Sequence, residues 1–96
     1  MNREEMLLVK MMEECGEVIQ ACSKALRFGL DDAHPKQGNV PNRECISKEI
    51  LDIFTIHTML MEEGTIQDCW TPQAERAARV EKYLKLSKKL GRLSNE

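Results

Sequence analysis

The sequence predicts an all-α domain in which three main helices form a bundle completed by oligomerisation, and three observations predict it. Apolar residues recur at helical rather than alternating spacing, long stretches run without proline, and the prolines fall between those stretches with most of the glycines. The 96 residues have room for one domain, 1–96. A chain of that size buries a modest fraction of its surface when folded alone, so association of copies is expected.

The first helix starts at Asn2, whose spacing to Glu5 is that of an N-cap followed by its N3 partner, and it runs to a stop at Gly29. A break near its middle is left open. From Leu30 to Pro41 the chain carries Asp31, Asp32, Pro35, Gly38 and Pro41, which is turn chemistry, and a loop is expected. Asn42 is placed to cap a second helix that begins at Arg43, continues to Met61 and ends before Gly64. Thr71 followed by Pro72 offers a cap and a favoured first-turn proline for a third helix, Ala74 to Leu90, which stops at Gly91.

Composition narrows the function classes. A hydrophobic share of 42% with 31% charged residues and few Gly and Pro is that of an ordinary folded helical protein. The net charge of -2 gives no basic surface for a nucleic-acid polymer. No apolar run is long enough for a membrane span, and the N-terminus MNREEM lacks the apolar segment of a secretory signal, so a cytoplasmic protein without a membrane partner is expected. Cys15, Cys22, Cys45 and Cys69 show neither a CxxC pair nor zinc-like spacing with histidine. Reduced thiols, mostly packed in the core, are expected of them.

The chemistry-bearing feature is a repeated carboxylate pair. At roughly 100° per residue, Glu14 and Glu17 share the border of an apolar face with Leu7, Met11, Val18, Ala21, Ala25 and Phe28. Glu49 and Asp52 fall in an arc otherwise made of Cys45, Ile46, Ile53, Ile56, Met59 and Leu60, away from the solvent side. Ionised carboxylates in such faces need compensation, and no Arg or Lys stands in the middle of the second face. A hard divalent cation bound by carboxylate oxygens supplies it, with Mg²⁺ the natural candidate and Mn²⁺ a substitute.

Glu13-Glu14-Cys15-Gly16-Glu17, followed after the loop by Glu49-Ile50-Leu51-Asp52, resembles the EExxE and ExxD pattern of MazG-like nucleotide pyrophosphohydrolases. The likeness spans both motif helices, whereas the loop and third helix match only in general character. The resemblance implies an all-α NTP pyrophosphatase, active as a dimer or tetramer. Such an enzyme hydrolyses a nucleoside triphosphate between its α and β phosphates to the monophosphate and pyrophosphate, and so controls a nucleotide pool. On the same basis Glu14, Glu17, Glu49 and Asp52 correspond to the family's metal ligands. Glu13 matches the first Glu of the motif but points farther from the ligand face, and three catalytic roles are open to it: ligand through water, ligand to a second metal, or base for the attacking water.

Lys24 lies two turns beyond Glu17 at nearly the same angle, within reach of phosphates held at the metal site. The segment Ser23-Lys24 with Arg27-Phe28-Gly29 resembles a helix end of compact MazG-like proteins. On the third helix, Lys82 and Tyr83 are the phosphate-binding candidates if that helix closes the site, although its run of basic residues also fits a solvated face. Phe28 and Trp70 are the aromatic candidates for the wall of a base pocket. Two other functions compete. A di-iron carboxylate bundle is disfavoured by the missing Glu-x-x-His. A non-enzymatic helical oligomeric interaction module would leave the acidic pairs incidental.

Overall fold

The computed structural model describes residues 1–94, the side chain of Gln37 apart, and among them it has three α-helices and no strand. Helix α1, Arg3–Phe28, begins with the capping box expected of it: the Asn2 side chain accepts from the Glu5 N–H at 2.8 Å, and Glu5 accepts from the Asn2 N–H at 3.4 Å. It runs unbroken through Gly16, which closes the question of a break. At Gly29 the backbone turns to φ 104, a region a side chain would strain, and the Gly29 N–H still donates to the Ala25 carbonyl at 2.9 Å.

The connecting loop is not structureless. A 3-10 turn at Pro35–Gln37 is capped by His34, whose Nδ1 accepts from the Lys36 N–H at 3.0 Å, and Ala33 bridges Pro41. Helix α2 is Asn42–Glu62. Here the expected cap is corrected. Pro41 occupies the cap position, and Asn42 turns its side chain back to donate from Nδ2 to the Gly29 carbonyl at 2.9 Å, tying the start of α2 to the end of α1. A second correction concerns α3, Gln73–Lys89. Pro72 rather than Thr71 stands at the cap position, where a proline has no side-chain acceptor to offer, and Thr71 Oγ1 instead accepts from Arg76 Nε at 2.6 Å.

Helices α1 and α2 form an antiparallel hairpin. Its open end is held by an Arg3–Glu63 ion pair and by Thr65 Oγ1 donating to Glu4 Oε2 at 2.8 Å. Arg43 pairs with Asp31 at 2.7 Å near the loop end. Between the helices lie Ala21, Ile56 and Leu60, the last only 1% exposed. Among the described residues α3 packs on neither helix. The radius of gyration, 16.8 Å, accordingly exceeds the roughly 12–13 Å expected of a compact chain this long.

The hairpin therefore has apolar residues on its outside. Leu8, Met12, Ile19 and Leu26 are exposed and follow one another at steps of four and seven residues, a single stripe on the face of α1 turned from α2. Leu51 and Phe54 are exposed on the outward side of α2. The cysteine expectation is corrected by the same geometry. All four thiols are free, but Cys15 falls within the outward stripe and is exposed, Cys69 is exposed, and Cys22 and Cys45 are half-buried.

Candidate metal centre

The hairpin brings three of the four motif carboxylates together. One oxygen each from Glu14, Glu17 and Glu49 can be chosen so that all lie within 4.8 Å of one another. Glu14 projects from the middle of α1 towards α2 and is 5% exposed. Glu49 is half-buried opposite it, and Glu17, one turn on from Glu14, is exposed at the edge of the cluster.

The cluster is electrostatically incomplete. Glu14 Oε2 and Glu49 Oε2 are enclosed and have no hydrogen-bond partner among the described residues, a costly state for a carboxylate oxygen. The pKa of Glu49 is pushed up to about 7, first because a proton there can be shared with Glu17, then through burial and the charges of Glu17 and Glu14. The other oxygen of Glu14 is satisfied: Lys10 Nζ sits 3.1 Å from Oε1 and 3.5 Å from Glu13 Oε2. Glu14 and then Glu13 hold that ammonium above the usual lysine range. Among the described residues, one side of Glu14 thus has a cation and the side facing Glu17 and Glu49 has none.

A donor set of carboxylate oxygens, without nitrogen or sulfur, fits a hard divalent ion such as Mg²⁺, Mn²⁺ or Ca²⁺. No histidine stands in the cluster, as a di-iron carboxylate site would require. The two enclosed orphan oxygens are what such an ion would satisfy.

Asp52 departs from its expected place. It is exposed and stands outside the three-carboxylate cluster. Three residues on from Glu49 it is turned about 60° round the helix, and α1 covers the Glu49, Ile56 and Leu60 side of α2 more fully than this flank. Glu13 is likewise exposed, on the flank occupied by Lys10.

Beside the carboxylates opens a cavity of about 410 Å³, whose walls include Glu17, Lys24, Asn42, Lys48 and Glu49. Lys24 is therefore where its wheel angle put it. Phe28, 60% exposed with the Arg27 guanidinium 5.0 Å from its ring centre, lines a second, smaller cavity. Trp70 is 75% exposed and lines neither, and Lys82 and Tyr83 lie on α3, away from both. Sequence reasoning missed Lys10, Lys48 and the cavity-facing part of Asn42. The first was legible as an i,i+4 partner of Glu14, and Lys48 as the neighbour of Glu49. Comparison with protein-family models, with curated proteins and with solved structures finds no match, so the function must be argued from this geometry.

Proposed function

We propose that the chain is a Mg²⁺-dependent nucleoside triphosphate pyrophosphohydrolase of the MazG-like type, working as a homo-oligomer. The observation that carries this reading is the pair of enclosed, unpartnered oxygens on Glu14 and Glu49 within a three-carboxylate cluster that opens on a cavity walled by Lys24 and Lys48. Carboxylates that hold a cation beside ammonium groups that hold anions suit a polyphosphate ligand bound through its metal complex.

Glu14, Glu17 and Glu49 would hold the ion, with Asp52, one turn from Glu49, proposed as the fourth carboxylate. When bound, Mg²⁺ neutralises phosphate charge and makes a bound water more acidic. Lys24 and Lys48 bind the phosphates and set the α-phosphorus in place. Water adds to that phosphorus, the bond to the β-phosphate's bridging oxygen breaks, and pyrophosphate leaves. Glu13, exposed beside the cluster, is the candidate base for the water's proton, and Lys10 holds it close to Glu14. Lys82, Tyr83 and Trp70 line neither cavity, and among the described residues α3 packs on neither motif helix, so any contact they make with substrate is proposed to come from another copy. The exposed stripe Leu8, Met12, Ile19 and Leu26 supports association of copies.

The test is incubation with each of the common ribo- and deoxynucleoside triphosphates and Mg²⁺, with pyrophosphate and orthophosphate measured separately. Monophosphate and pyrophosphate in equal amounts are expected. Orthophosphate as the first product, or no turnover of any nucleotide, overturns the proposal.

A further inference from the structure

Helix α3 has no packing partner: among the described residues it packs on neither α1 nor α2. Yet it is amphipathic. Val80, Tyr83, Leu86 and Leu90 are exposed and follow one another at steps of three and four residues, which puts them on one side of the helix. Lys85 and Lys88 lie on the other side, and Arg79 and Lys82 border the apolar one. A helix of 17 residues with its apolar side bare to water gains nothing from tertiary packing, the main source of helical stability in proteins.

The hairpin offers a surface of matching length and opposite charge. The outward stripe of α1, from Leu8 to Leu26, extends about 27 Å, and α3 is about 25 Å long. Glu4 and Glu5 border that stripe, while Lys10 and Lys24 lie on the other side of α1. The balance of charge agrees: residues 1–64 carry twelve acidic and seven basic side chains, and α3 carries two and six. Pairing α1 with α1, or α3 with α3, would set like net charge against like and leave the other stripe bare. Pairing α1 with α3 covers both.

We propose that α3 of one copy docks on the Leu8–Leu26 stripe of α1 in a second copy, and that the exchange is reciprocal, so that one two-fold dimer covers all four stripes. The inference rests on the homo-oligomer of the proposed function and is independent of its chemistry. Contact in trans accounts for an arm that leaves α1 of its own chain uncovered. Reciprocity closes the assembly, whereas a one-way contact would leave an arm and a stripe free at its ends and grow into a chain.

Cys15, exposed within the α1 stripe, is a native reporter of what covers it. In a Cys69→Ser background, Val80→Cys, Tyr83→Cys, Leu86→Cys and Leu90→Cys are each oxidised, resolved on non-reducing gels and mapped by peptide mass. At least one should give a two-chain band bridged from Cys15 to α3, and the Cys69→Ser chain alone should stay single. Leu86→Lys, at a position exposed in the single chain, should raise the dimer Kd at least tenfold in sedimentation, with helicity and Mg²⁺ binding retained. A Cys15-to-α3 bridge within one chain would overturn the exchange, as would Cys15-to-Cys15 dimers of the Cys69→Ser chain. Parental mass in Leu86→Lys would sink the docking and leave the homo-oligomer standing. A monomeric unaltered chain would sink both, with pyrophosphate release still deciding the reaction, and a monomer that binds anionic phospholipid vesicles through α3 would assign the helix to a membrane surface instead.

Discussion

The two faces of α1 break the usual rule in opposite ways. On the face towards α2 a carboxylate, Glu14, is buried, and two oxygens in its cluster have no partner. On the opposite face Leu8, Met12, Ile19 and Leu26 are exposed. Charge is inside and oil is outside. Each face is costly in the single chain by a different mechanism, desolvated charge on one and hydrated apolar surface on the other. A small cation relieves the first and cannot relieve the second, for which only another protein surface is large enough. The comparison teaches that the hairpin has two separate requirements, and each can be removed without the other.

The largest expected effect lies on the inner face. Glu49→Gln removes a negative oxygen at nearly constant volume, and pyrophosphate release should fall by about a hundredfold or more, the scale of single electrostatic contributions to catalysis. The same change deletes an unpartnered buried charge, so the metal-free protein should melt no lower than the parent, while the increase in melting temperature that Mg²⁺ gives the parent should largely disappear. Near-parental turnover, or a Mg²⁺-dependent increase of the parental size, would break the contrast at its inner side.

On the outer face Ile19→Lys should act on mass instead of chemistry. In the single chain Ile19 is exposed and the change costs little, but across an interface it sets an ammonium against apolar surface and loses about 1.5–3 kcal/mol of burial per copy. Light scattering should show a lighter species for the variant than for the parent, with Mg²⁺ binding to the hairpin retained. An unchanged mass would mean that this stripe is not the covered one.

A smaller effect sharpens the inner side. The Glu49 pKa of about 7 lies above the ordinary 4.5, so the folded state holds that proton more tightly than the unfolded chain does. The resulting stabilisation is complete below pH 4.5 and is lost as the pH rises through about 7. Metal-free melting temperature should therefore drift downwards over that window. Mg²⁺ needs the ionised carboxylate, so its affinity should rise over the same interval and level off above it. Calorimetric titration and melts across pH check both slopes, and Glu49→Gln should flatten them.

Local structure was legible because its causes are local. The Asn2–Glu5 capping box, the stop at Gly29 and the turn chemistry between Leu30 and Pro41 all act within a few residues, and the helix bounds of α1 fall where they indicate. Phe28 shows the limit of such reasoning: it does line a cavity, but the cavity exists only because the loop folds back over the helix end.

By itself the sequence determined three helices, an apolar arc on each motif helix, and the placement of carboxylates in or beside those arcs. Only the tertiary structure decided that Glu14, Glu17 and Glu49 meet while Asp52 stays at the edge, and that Asn42 spends its amide on Gly29 instead of on its own helix. It also decided that, among the described residues, α3 docks on neither motif helix. The reason is that a helical wheel fixes angles within one helix and leaves free the rotation and depth of one helix against another. Those two quantities are set here by the hairpin's loop contacts and end-to-end ion pair, which join residues far apart in the chain.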